Sequence, residues 1–241
     1  FAISGSYMVP TARLLADEFT TFVPDLPGFG KSLNPDHVLT IDELADSVRA
    51  FLDAVGVDRA TLVGNSLGCA ILAAFAHRHP DRLDRVVMVS PAGGVHSRPL
   101  PRAIGQLLLD APREPASMAA VAVPDYLRFG VVPAVKLFHA MTRFPAVDHV
   151  LELDVSTLAV LGSRDPLLPP VGRVREMAGL VHDGVRIVVI KDAAHAINFS
   201  HPRELSAVIR QFMDDRPIVG AVDVPGGAPV AELHTAGKVH G

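Results

Sequence analysis

Five short runs of this chain are nearly all apolar: residues 20–25, 60–64, 85–90, 157–162 and 185–190. A strand covered on both faces has no wet side to mark with polar residues, so these runs predict buried, parallel strands. Between them apolar positions recur at helical spacing, predicting helices over residues 41–55, 67–79, 171–181 and 202–214. Thr40 with Glu43 forms a T-x-x-E capping box before the first helix, and Gly56 ends it. Pro202 suits the first turn of the last one. Strand and helix in alternation predict an α/β fold, a mostly parallel sheet flanked by helices.

Residues 93–148 break the alternation. They are helical in pattern, rich in proline and large apolar residues, and without a strong strand. An insertion there lies over the carboxyl edge of the sheet, where open α/β sheets bind ligands, and is expected to form a helical cap. The plainer alternative is an extra packing layer that touches no substrate. The expected division is a core over 1–92 and 149–215, a cap over 93–148, and a tail over 216–241. The tail has five glycines and three prolines and no periodicity, and is expected to be disordered.

Composition narrows the function. The 241 residues are 49% hydrophobic with net charge −4 and no run of Lys and Arg, which argues against nucleic acid and against general affinity for a membrane. The apolar stretch 60–76 is broken by Gly64, Asn65, Ser66 and Gly68, so it reads as strand, turn and helix rather than a membrane span. A single cysteine, Cys69, fits a reducing compartment, and no basic-then-apolar leader is visible, so a cytoplasmic location is expected. No His/Cys/Asp cluster has zinc spacing, and neither metal nor cofactor is expected.

The chemistry centres on Gly64-Asn65-Ser66-Leu67-Gly68. Between a buried strand and a helix this G-x-S-x-G run makes a sharp turn that lifts Ser66 clear of the sheet edge and places the Leu67 N–H at a helix start. Both glycines are expected where side chains would clash. A serine hydroxyl needs a base oriented by a carboxylate. Asp165 follows the strand ending at Gly162, and His195 follows the strand ending at Ile190, in the order this topology requires. Asp165 precedes Pro166, and Asp-Pro after a strand is also an ordinary turn signal. Asp192 reads as a turn residue, and His77 and His79 as a charged helix end before Pro80. Gly30-Lys31-Ser32 is not a phosphate loop, because Asp25 stands where that loop needs glycine.

Over nearly all of residues 1–213 the chain resembles the α/β-hydrolase superfamily. The motifs carrying the resemblance are G-N-S-L-G, D-L-P-G-F-G-K-S from Asp25, H-P-D-R-L-D-R-V-V-M-V-S from His79, G-S-R-D-P-L-L-P from Gly162 and A-A-H-A-I-N-F from Ala193. The resemblance implies Ser66 as nucleophile, Asp165 as orienting acid, His195 as base and residues 93–148 as a lid. Family members carry an apolar strand ending in His-Gly just before the position of Phe1. That strand and the two before it are expected upstream, in a longer reading frame, with a second oxyanion donor near Phe1 beside Leu67. The alternative is a product that is poorly folded or inactive.

A serine nucleophile sets the chain apart from haloalkane dehalogenases and epoxide hydrolases. Gly64-Asn65-Ser66 and Pro91-Ala92-Gly93-Gly94 are similar to carbon–carbon bond hydrolases of ring-cleaved aromatic diketones, but Ala196 stands where those enzymes carry tryptophan. The broader expectation is a carboxylic-ester hydrolase for a small or medium apolar substrate, acting through an acyl-enzyme. A binding-only member of the fold is the alternative of a different class. Asn65, Tyr126, Phe129, Phe138 and Met141 are the expected substrate contacts, with Leu107, Leu108, Leu109 and Leu137 around them; ordinary packing of cap helices explains such residues equally. Oligomeric state is open.

Overall fold

A computed structural model describes residues 3–92, 98–144, 155–170, 172, 184–218 and 228–234. Four of the five apolar runs are strands: β1 (Ala60–Asn65), β2 (Leu83–Val89), β3 (Thr157–Gly162) and β4 (Val185–Ile190). They pair in that order, all parallel, with Asn65 opposite Val89 and Gly162 opposite Ile190. Their carboxyl ends therefore share one edge, and every loop leaving them opens on the same side.

Alternation along β2 divides the core. Val86 and Met88 face a cluster with Leu44, Leu67, Ile71 and Phe75, from α2 (Ile41–Ala54) and α3 (Leu67–Arg78). Val87 and Val89 face the opposite cluster with Leu15 from α1 (Val9–Leu15) and Leu205, Val208, Ile209 and Phe212 from the helix Pro202–Met213. A helix apolar on all sides must be buried on all sides, and α3 is, from Leu67 through Ala76 apart from Gly68. The capping box on α2 forms: the Thr40 hydroxyl accepts from the Glu43 N–H at 3.2 Å, and the Glu43 carboxylate accepts from the Thr40 N–H at 2.8 Å. The expected helix over 171–181 lies outside the described residues apart from Gly172.

Two expectations fail. Residues 20–25 are not a strand: β1 is an edge of the sheet among the described residues, so no ladder is available to this run, and Phe22 is 48% exposed. The tail is not structureless throughout. Val230–His234 forms β5, antiparallel to β4, and an ion pair of 2.9 Å between Arg186 and Glu232 fastens it. A partner on another strand, rather than local pattern, orders this segment.

Residues 98–144 form α4 (Leu100–Asp110), two short 3₁₀ turns, α5 (Ala119–Phe129) and α6 (Val131–Arg143). The last two meet at about 100° at Gly130, whose φ of +85° disfavours other residues. No single helix among the described residues is long and apolar enough to cross a membrane.

Candidate active site

Ser66 sits between β1 and α3 with φ of +53°, a left-handed conformation costly for serine, and it is held there from several sides. Its N–H donates to the Val89 carbonyl at 3.0 Å, and its carbonyl accepts from the Cys69 N–H at 2.9 Å. The Cys69 thiol, whose pKa burial pushes up, donates toward the Gly64 and Val89 carbonyls. A Cβ on Gly64 would come 2.7 Å from the Gly68 backbone, so glycine there is obligatory. Gly68 itself meets nothing within 4 Å, so the clash expected at both glycines exists at one only. Leu67 is the first residue of α3, and its N–H has no acceptor within the helix. Phe1 lies outside the described residues.

Asp165 and His195 leave neighbouring strand ends and meet. His195 Nδ1 lies 2.7 Å from Asp165 Oδ2, with the Asp165 side chain fully buried. The other Asp165 oxygen accepts from the Leu167 N–H at 2.9 Å, so the carboxylate is held at both ends. Burial presses His195 toward neutrality, but the Asp165 carboxylate, and behind it Asp110, outweigh this and hold the imidazole pKa above its ordinary value. Asp192 is exposed in the preceding turn, at φ of +62°. His79 bonds Asp46 at 2.7 Å at the end of α3.

The expected substrate contacts divide. The Asn65 amide donates to the His195 carbonyl at 3.0 Å and accepts from the Tyr7 hydroxyl, so it ties the end of β1 to the loop of His195. Phe138 and Met141 are buried in the core beside α3, and Leu108 and Leu109 face solvent at 69% and 60% exposure. Phe129 stacks on Phe29 with centroids 4.9 Å apart and, with Pro35, Leu39 and Leu137, lines a cleft of about 270 Å³ that includes none of Ser66, Asp165 or His195. Tyr126 is largely buried, which pushes its hydroxyl up to about 12.

Sequence reasoning missed Tyr7, Asp110, Glu114 and Asp125. Asp110 accepts from the His195 N–H at 3.2 Å, Glu114 from the Ala196 N–H at 2.6 Å, and Asp125 from the Ser4 N–H at 2.7 Å. A signal was present for one of them: α4 buries Ala103, Gln106 and Asp110, so polar residues stand on the inward stripe of an otherwise amphipathic helix.

Residues 2–119 match the family model of the alpha/beta hydrolase fold. Curated relatives at 35–40% identity match over a third or so of this chain, and the chain spans 24–35% of their length. Among them is 2-hydroxy-6-oxo-6-phenylhexa-2,4-dienoate hydrolase of Comamonas testosteroni, 35% identical over 105 residues, 41% of this chain and 35% of that one. Pimeloyl-[acyl-carrier protein] methyl ester esterase of Neisseria meningitidis is 27% identical, covering 87% of this chain and 71% of the relative. A solved N-acyl homoserine lactone degrading enzyme superposes with a TM-score of 0.71 at 26% identity, over 88% of this chain and 90% of the other. The chain has the α/β-hydrolase fold, and residues 2–119 carry the sequence pattern of that family.

Proposed function

We propose that this chain is a serine hydrolase that cleaves the carboxylic ester of a small or medium apolar substrate through an acyl-enzyme. The observation that carries the reading is the buried Asp165–His195 pair at 2.7 Å, on the same sheet edge as a serine held at positive φ. His195, oriented through Nδ1, takes the Ser66 proton, and the alkoxide attacks the ester carbonyl. The Leu67 N–H, with a second donor at Phe1, stabilises the oxyanion. His195 then returns the proton to the leaving alcohol. Water, deprotonated by the same imidazole, attacks the acyl-serine and releases the acid. The imidazolium gives that proton to the departing Ser66 oxygen, and since every step moves protons only among Ser66, His195, substrate and water, no cofactor or metal is called for.

Carbon–carbon bond hydrolysis of a ring-cleaved aromatic diketone is the second reading, favoured by the resemblance to the Comamonas testosteroni hydrolase. Turnover of p-nitrophenyl esters from acetate to octanoate, run beside a ring-opened aromatic diketone, separates the two. Ester turnover with an acyl burst that vanishes in Ser66→Ala is expected. Cleavage of the diketone alone moves the assignment to the second reading, and cleavage of neither leaves a binding-only protein.

A further inference from the structure

We infer that the cap positions the general base: Asp110 and Glu114, one helical turn apart, clasp the backbone of the loop that carries His195. This inference rests on the reading of His195 as that base.

The loop after β4 leaves the sheet at Ile190, so the N–H groups of His195 and Ala196 have no strand partner. Buried N–H groups must be satisfied, and here the acceptors come from far along the chain. Asp110 Oδ1 reaches the His195 N–H across 85 positions, and Glu114 Oε1 reaches the Ala196 N–H across 82. Between the two carboxylates, Arg113 donates to the Arg164 carbonyl at 2.9 Å, next to Asp165. The end of α4 thus grips both the base loop and the acid loop.

On residues 98–144 the acidic side chains are Asp110, Glu114 and Asp125, and all three accept from a backbone N–H of the core. Generic solubility would put carboxylates outside. These are turned inward, where each costs desolvation and returns a hydrogen bond, two of them to the loop of His195.

The clasp also shapes the field at His195. The charged and titratable groups facing the pair are His195, Asp165 and, beside Glu114, Tyr7. Burial, with each carboxyl repelling the next, pushes Asp110 up to about 7 and raises Glu114, while the unbonded Glu114 Oε2 is buried. A negative charge on Asp110 favours the imidazolium that His195 becomes on taking the Ser66 proton.

Three variants test this: Asp110→Ala with Glu114→Ala, Asp110→Asn, and Glu114→Gln. The alanine pair removes both acceptors, and kcat should fall on the order of 10- to 100-fold with KM little changed, as for a base displaced by a fraction of an ångström. Asn and Gln keep an acceptor oxygen of the same reach, so most of kcat should return. With Asp110→Asn the acid limb of kcat/KM should move to lower pH, because a charge favouring imidazolium is gone. A mere packing role predicts no such shift. An acid limb unmoved in Asp110→Asn overturns the inference, whether or not the alanine pair folds. Fluorophosphonate labelling of Ser66 in the wild type separates the two claims. Labelling with unmoved variants sinks the clasp alone, and no labelling of folded wild type sinks the hydrolase reading with it.

Discussion

Gly162 and Ala193 touch backbone to backbone: a Cβ placed on Gly162 would lie 2.5 Å from the Ala193 carbonyl oxygen. This contact, with the Arg164 N–H donating to the same carbonyl at 2.9 Å, brings the loop of Asp165 against the loop of His195. Gly162 is therefore a requirement of the Asp165–His195 pair and not of its own turn.

Gly162→Ala should lower stability by on the order of 1–3 kcal/mol, since the obstructing atoms are main chain and cannot swing aside. Urea unfolding checks it, with a lower midpoint at unchanged slope. Activity should fall more steeply than stability accounts for, because the whole His195 loop must move.

Asp165→Asn keeps the shape of the pair and removes the charge that orients and raises His195. We expect kcat to fall on the order of 10⁴-fold, and the imidazole pKa, followed by NMR, to drop. Retention of full activity would assign the acid to another residue.

The pH dependence has a definite sign. His195 must be neutral to act as base, and its folded pKa lies above the ordinary value of about 6.5, so kcat/KM should rise through an apparent pKa above that. For stability, His195 and Asp110 both have raised folded pKa values. Each contributes stability that is complete below its unfolded pKa and is lost as pH rises through the folded one. Melting temperature should therefore decline from about pH 5 to 8, and Asp110→Asn should flatten the slope. Glu43, Asp46, Asp53 and Asp215 have lowered values and act oppositely, their contribution being lost only as the medium becomes strongly acidic.

Glu232→Ala should release β5, because it leaves Arg186 largely buried without its partner. Roughly 3 kcal/mol is expected, with faster amide exchange along β4. Unchanged exchange there would mean that β5 is not held by this pair.

The parts of the fold legible in the sequence are those whose signal is local. β1 to β4 are continuous apolar runs, α2 carries its own capping box, and α3 is apolar all round. The places of Ser66, Asp165 and His195 just past strand ends, and so the Asp165–His195 contact, were legible because parallel strands bring their carboxyl ends to one edge. What escaped depends on distant partners. Residues 20–25 look like a strand until a neighbour is sought, whereas Glu232 looks like part of a tail until Arg186 is found across the ladder. Glu114 and Asp125 escaped because nothing within one turn reveals the distant N–H groups of Ala196 and Ser4 that they accept from, whereas Asp110 stood on the inward stripe of α4. Apolar type alone also hides helical phase: Leu137 turns inward and lines the cleft beside Phe129, whereas Leu108 and Leu109 face solvent.

The most direct test of the central claim is labelling with a fluorophosphonate, which captures only a serine made nucleophilic by its surroundings. The account predicts one adduct, on Ser66, absent in Ser66→Ala and formed far more slowly in His195→Ala. Folded protein that stays unlabelled, or a label that persists in Ser66→Ala, would contradict it.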